Sequence, residues 1–331
     1  MANTKPRVLV TESEYRKAEA RFAAAPGLEC LRAPNAEAEL ASAVLEARAS
    51  HAIVGSGTYS NALYDALPAG GVIARFGVGH DGIDKIKATA SGLLCTNTPG
   101  VLNQSVAEHT MMLIAAAARA LVAMSASLAK GGWDPVIGEE LEGKTLAIVG
   151  CGGIGRAVAR LASLGYRMRV VGCSRPGLPA LEQLEHFDVV TNDFATAVRG
   201  ADFVSLHMSA TRDNIRFVNA ERLAHLGERT WLINTARGTL VDEGALFAAL
   251  VSRRLGGAAL DVFVREPYVP IEGSGDFRSL ANVILTPHVA SNTAAANGRM
   301  ADRAIRNVIF AEARAFAQMD LLNPEVIPLA R

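Results

Sequence analysis

One short segment limits what this chain can fold into more than any other. Leu146-Ala147-Ile148-Val149 is an apolar run followed at once by Gly150-Cys151-Gly152-Gly153-Ile154-Gly155, and then by the helical pattern Arg156–Leu164. A Gly-x-Gly-x-x-Gly turn set between a strand and a helix is the arrangement that admits a dinucleotide. Gly150 permits the tight turn, Gly152 lets a pyrophosphate approach the backbone, and Gly155 lets the helix lie close to the sheet. Gly153 and Ile154 open that helix, whose first-turn amides and macrodipole suit phosphate. Glycines so spaced also occur in ordinary turns. The strand before and the helix after favour the dinucleotide.

The segment belongs to a longer alternation. Strands are expected at Arg7–Thr11, Ala52–Gly55, Val72–Phe76 and Leu93–Asn97, with helical patterns at Ser13–Ala25, Glu37–Ala49 and Asp84–Ala90 between them. After a break at Lys130–Pro135 the pattern resumes. Strands are expected at Thr145–Val149, Arg169–Cys173, Val189–Thr191, Phe203–His207, Thr230–Asn234, Ala258–Val262 and Val283–Leu285. Ile154–Leu164, Glu243–Leu250 and Thr293–Ala317 read as helices. Strands separated by helices of this length imply parallel sheets with right-handed crossovers. The expected class is α/β, with two doubly wound parallel-sheet domains. The last helix needs a surface to pack on, so the chain is expected to cross the domain boundary twice, near Asn103 and near Ala290. Asn103–Met124 reads as one long helix, buried on most sides, whose small residues also allow a contact with a second copy. Trp133 reads as the packed anchor of the loop that follows, the alternative being a place in the substrate pocket, its own or that of a second copy.

Composition narrows the partners. At 331 residues the chain is about twice a typical domain, and half its residues are hydrophobic, enough for two cores. Lys plus Arg and Asp plus Glu both total 33. That balance argues against a nucleic-acid sleeve or a polybasic membrane patch, but not against a local pocket for a small anion. Cys30, Cys95, Cys151 and Cys173 are scattered, with no zinc-like spacing and no disulfide framework, so no metal is expected. Reduced thiols and a start that runs from Met1 straight into a strand pattern imply a soluble, cytoplasmic protein.

Three strand ends carry the candidate chemistry. Thr235-Ala236-Arg237-Gly238 follows one strand, Asp261 through Glu266-Pro267 another, and Thr286-Pro287-His288-Val289-Ala290 a third. Ligands of open α/β sheets bind outside the carboxyl ends of the strands, so Arg237, Glu266 and His288 form a candidate constellation. Where a ribose-binding acid would end the second strand of the dinucleotide unit, the chain has Cys173-Ser174-Arg175. Ser174 and Arg175 can donate to a 2′-phosphate, which favours NADP(H) over NAD(H).

Read together with Phe76-Gly77-Val78-Gly79-His80-Asp81-Gly82-Ile83-Asp84, Asn97-Thr98-Pro99-Gly100-Val101 and Val106-Ala107-Glu108, these motifs cover nearly the whole chain. In that order they resemble the D-isomer-specific 2-hydroxyacid dehydrogenase family, which includes glyoxylate/hydroxypyruvate reductases and phosphoglycerate dehydrogenases. The resemblance implies a Rossmann cofactor domain (103–290) inserted in a flavodoxin-like substrate domain (1–102 and 291–331). It implies that Arg237 binds the substrate carboxylate and polarises the 2-oxo group, a two-point grip that suits guanidinium. His288 would be the general acid in reduction and the base in oxidation, oriented by Glu266. Amides of Val78 and Gly79 would hold the carboxylate from the first domain, and closure of both domains would exclude water. Asp261 and the Thr235 carbonyl would meet the nicotinamide amide, with Val106 and Ala290 near that end. His207 and Ser209 would flank the adenosine. His80, His109 and His207 read as structural rather than as acid or base.

The leading expectation is an NADPH-dependent glyoxylate/hydroxypyruvate-type reductase, a homodimer acting on small 2-oxo acids. Its alternatives are an NAD-dependent D-2-hydroxyacid dehydrogenase of the phosphoglycerate or lactate type, and a nucleotide-sensing corepressor-like binding protein. Two departures from the family pattern stand out. Ser209-Ala210-Thr211 replaces the usual Pro-containing turn beside the adenosine, and His80 and Gly82 are unusual in the carboxylate loop.

Overall fold

The computed structural model describes residues 5–175, 184–270, 273 and 275–327. The chain divides into two compact units, Met1–Leu102 with Asn292–Arg331, and Asn103–Ser291.

The first unit is built on strands β1 (Arg7–Thr11), β2 (Glu29–Ala33), β3 (His51–Val54), β4 (Val72–Arg75) and β5 (Leu94–Thr96). They form a sheet in the order β2-β1-β3-β4-β5, every pairing parallel. That is the flavodoxin-like winding. Its helices are α1 (Glu12–Lys17), α2 (Glu19–Ala23), α3 (Glu37–Ala47), α4 (Ala62–Ala66) and α5 (Lys85–Ala90). Leu9, Val54, Ile73 and Cys95 pack with Leu40, Leu63 and Tyr64 in one core.

The second unit begins with α6 (Asn103–Ala118) and α7 (Leu121–Ala129). Its strands are β6 (Thr145–Val149), β7 (Arg169–Cys173), β8 (Val189–Thr191), β9 (Phe203–Leu206), β10 (Trp231–Asn234), β11 (Gly257–Leu260) and β12 (Val283–Leu285). They are parallel throughout, in the order β12-β11-β10-β9-β6-β7-β8. The winding reverses between β6 and β9, the switch point at which such sheets bind dinucleotides. The helices α8 (Gly153–Tyr166), α9 (Phe194–Val198), α10 (Ala220–Leu223) and α11 (Glu243–Val251) complete it. The chain then returns to the first unit as α12 (Ala294–Glu312). There His51, buried in β3, accepts the Val72 amide on Nδ1, so Nε2 donates to Glu312 at 3.0 Å and latches the helix end to the sheet.

Several expectations are corrected. The segment read as one helix over Asn103–Met124 is two, bent by 66° where Ala120 takes a left-handed φ of 48°. The first half is buried as expected, whereas α7 has no buried residue. Trp133 is no packed anchor, being 84% exposed. The expected Ser13–Ala25 helix is likewise interrupted, at Ala18. Strand β2 escaped the sequence reading because it is an edge strand with Glu29 and Arg32 exposed, so it lacks an apolar run. Among the described residues, no single helix is long and apolar enough to cross a membrane.

Candidate active site

The glycine turn follows β6 with the geometry its spacing demands. Gly150 has φ +105°, and a Cβ there would lie 2.7 Å from the carbonyl carbon of His207. At Gly155 a Cβ would run into the Gly150 carbonyl, so the start of α8 can approach the turn only with glycine. A Cβ at Gly152 meets nothing, because this residue faces open space. Turn, close packing and an unobstructed face for phosphate thus fall on the three expected glycines. Gly153 and Ile154 form the first turn of α8.

The open face belongs to a cleft of about 990 Å³ whose walls include Gly150, Gly152, Ser174, Arg175, His207 and Ser209. Arg175 is exposed and Ser174 nearly buried. Arg222 and His225 also line the cleft. Asp193, the carboxylate nearest the end of β8, is engaged as the N-cap of α9, accepting the Thr196 amide at 2.7 Å. Burial pushes the His207 imidazole down to about 3, so it is neutral, and its Nε2 is 2.8 Å from Ser205 Oγ. The turn that lacks the usual proline is fixed by Asn214, whose side chain accepts from the Thr211 amide and donates to the Ser209 carbonyl. A dinucleotide therefore fits the residues present: a glycine-rich cradle open at Gly152, a neutral wall and cations in the same cleft.

The second half of the site lies at the ends of β10, β11 and β12. After β10, the Asn234 side chain, 1% exposed, donates to the Arg237 carbonyl and accepts the Ala236 amide, which shapes the turn that carries Arg237. Gly238 is required next, since a Cβ there would collide with the backbone of Phe263 and Val264. That contact brings the loop of Glu266 up beside Arg237. The same loop is tied down by Glu243, a buried acid at the start of α11 that accepts the Val264 amide at 2.8 Å.

Glu266 accepts the Phe263 amide on Oε1 at 3.0 Å, and its Oε2 lies 2.6 Å from His288 Nδ1. Burial alone would raise the Glu266 carboxyl. The hydrogen bond and charge of His288, the Phe263 amide and the Arg237 charge together bring it below its ordinary value. With Nδ1–H given to the carboxylate, His288 is left with Nε2 to face a reactant. His288 is partly exposed and adopts φ +52°, a left-handed conformation that costs a residue with a Cβ. Its amide donates to the Asp261 carbonyl at 2.8 Å, and the Asp261 carboxylate accepts from Thr286 Oγ1, the Val289 amide and the Ala290 amide.

Arg237, Glu266 and His288 are therefore gathered at one edge of one sheet. Asp261, placed by the resemblance at the nicotinamide amide, is 0% exposed and spends its carboxylate on the loop of His288. Thr235 is nearly buried, with its hydroxyl 3.0 Å from Thr110 of α6, the helix that also contains Val106. In the first unit, Asn97 Nδ2 donates to the Val78 carbonyl at 2.8 Å. Because the peptide is planar and trans, that bond turns the Gly79 N–H to the opposite side. The sequence reading missed the parts of Asn234 and Glu243. An Asn directly before the Thr-Ala-Arg-Gly turn and a Glu directly after the Asp that caps α11 were its only signals.

Residues 111–290 match the D-isomer specific 2-hydroxyacid dehydrogenase NAD binding domain. A glyoxylate reductase of Thermococcus litoralis is 37% identical over 274 residues, 80% of this chain and 80% of its own length. A hydroxypyruvate reductase of Thermotoga maritima is 38% identical over 231 residues, 69% of this chain and 73% of its own. The NADPH-dependent glyoxylate/hydroxypyruvate reductase of Sinorhizobium meliloti, solved with NADP and malonate, superposes with a TM-score of 0.77 at 30% identity, covering 97% of this chain and 98% of that one. The chain belongs to the D-isomer-specific 2-hydroxyacid dehydrogenases, a family of oxidoreductases that bind NAD(P).

Proposed function

We propose that the protein reduces a small 2-oxo acid, glyoxylate or hydroxypyruvate, with NADPH as the hydride donor. The observation that carries this reading is the 2.6 Å pair of His288 and Glu266, with Arg237 close enough to stabilise the same carboxylate. Arg237 grips the substrate carboxylate and polarises the 2-oxo oxygen. His288, its Nδ1–H held by Glu266, delivers the proton from Nε2 to the oxygen as negative charge develops there. NADPH, when bound, supplies the hydride. Named relatives and a solved structure with NADP and malonate support the substrate class and cofactor.

Preference for NADPH follows from a cleft in which Ser174 and Arg175 stand where an acid would select NADH. We further propose that the protein works in the cytoplasm as a homodimer. Leu121, Val122, Leu128, Trp133, Val136 and Ile137 present an exposed apolar face on and after α7 that a second copy would cover. Initial rates with a panel of 2-oxo acids and both cofactors test the function. Turnover of glyoxylate or hydroxypyruvate with NADPH is expected. A chain that binds NADPH yet reduces none of them is a binding protein instead. Arg175→Ala is expected to raise the Kd of NADPH about tenfold and that of NADH less than about twofold, the size of one charge-assisted hydrogen bond. Equal changes refute the 2′-phosphate assignment.

A further inference from the structure

Helix α6 carries two adjacent polar side chains that reach the ends of two strands. Thr110 Oγ1 donates to the Val106 carbonyl within its own helix at 2.8 Å, so the hydroxyl of Thr235, 3.0 Å away, donates to it. His109 sends its ring elsewhere. Its Nε2 lies 3.2 Å from Thr286 Oγ1 and 3.5 Å from Asp261 Oδ1, and its side chain is 12% exposed.

The direction of each bond can be worked out. The Thr286 hydroxyl donates to Asp261 Oδ1 at 2.6 Å. A hydroxyl has one proton to give, so towards the imidazole Thr286 can only accept, and His109 Nε2 must carry hydrogen. Asp261 receives the Val289 amide on Oδ1 and the Ala290 amide on Oδ2, both at 2.9 Å. These are the two residues after His288, whose left-handed backbone is held in place by the same aspartate. The histidine of α6 is thus the last donor in a line that ends at the turn presenting His288.

We propose that His109 is a positioning residue: its Nε2–H, relayed by the Thr286 hydroxyl, fixes the Asp261 carboxylate that holds the His288 loop in its left-handed turn. The inference rests on the reading of His288 as the proton donor. A buried carboxylate with several donors keeps one orientation, and a catalytic group must be held to within about 0.5 Å of its productive place. Without the imidazole the Thr286 hydroxyl keeps only its bond to Asp261, one of the groups that fix the carboxylate's orientation is gone, and the loop gains freedom. Such looseness lowers kcat more than it alters the hold on a cofactor whose cradle lies at β6.

The test compares His109→Leu, which removes the donor, with His109→Gln, whose side-chain N–H can reach Thr286. In the full chain, His109→Leu is expected to lower kcat for glyoxylate about tenfold and to change the KM of NADPH less than about threefold. Amide exchange at Val289 and Ala290 should quicken about tenfold. His109→Gln should restore kcat and exchange to within about threefold of the parent. Native kcat and exchange in the leucine variant overturn the proposal, and so does a glutamine variant as damaged as the leucine one. Should the leucine variant fail to fold, Thr286→Val with Thr286→Ser as its control repeats the test without touching the helix: Val should reproduce the loss and Ser should not, and equal behaviour overturns it. A parent chain that reduces no 2-oxo acid refutes the proposed function instead, and exchange at the loop then decides the positioning by itself.

Discussion

The seven-stranded sheet ends in two surfaces made by opposite means. Around β6, β7 and β9 recognition is prepared by removing side chains: Gly150 turns, Gly155 packs and Gly152 leaves space. Around β10, β11 and β12 it is prepared by adding them, and each is held by another. Asn234 shapes the turn of Arg237, the Phe263 amide and His288 share Glu266, and Asp261 holds the loop of His288. A phosphate needs only amides and room, which six consecutive residues provide. Proton transfer needs an acid fixed in orientation, and that takes partners from many places in the chain. The two surfaces should therefore fail differently.

The largest effect separates them most cleanly. His288→Ala is expected to lower kcat for glyoxylate by about two to four decades, while NADPH affinity, read by fluorescence titration, stays within about twofold. A comparable loss of both would mean that the two surfaces are one, and a nearly normal rate would remove His288 from the chemistry altogether. On the other surface Gly152→Ala should do the reverse. Its Cβ meets no protein atom, so the thermal midpoint is expected to stay within a degree or so while the Kd of NADPH rises about tenfold. Gly155→Val is the control, because a side chain there collides with the Gly150 carbonyl and should cost the fold as well. If Gly152→Ala binds NADPH as tightly as the parent, phosphate does not approach the backbone at that residue.

The contrast also explains what could be read from the sequence. Gly150 to Gly155 announced their purpose because strand, turn and helix are contiguous, and each glycine has one local reason to be there. Arg237, Glu266 and His288 were legible as ends of parallel strands and through a family resemblance. Their supports were not. His109 sits in a helix that reads as plain core, and Asp261 reads as a ligand contact until the fold turns its carboxylate inward. Which buried polar group answers which is decided by packing between segments more than a hundred residues apart, as with His109 and Thr286. Backbone conformation hid the rest. The left-handed residue Ala120 splits a helix whose composition is uniform across the break, and no residue type there signals a stop.

The smallest effect tests whether the reaction-side surface is electrostatic in the way its distances suggest. Burial works to raise the Glu266 carboxyl, but His288, the Phe263 amide and Arg237 hold it below the ordinary value, so its ionised form is favoured in the folded chain. A carboxylate depressed in this way contributes stability that is present above its unfolded pKa and is lost as pH falls through the folded one. Glu266→Gln cannot titrate. The parent should therefore melt higher than Glu266→Gln near neutral pH, by only about 2 °C because the pair is one-third exposed, and the gap should close as pH falls through the depressed carboxyl pKa. Gly152→Ala carries no such charge, so its offset from the parent should stay constant over the same range. Should the Glu266→Gln gap persist unchanged down to pH 3, shape rather than charge maintains the pair. The two ends of the sheet would then differ in the number of supporting side chains and not in kind.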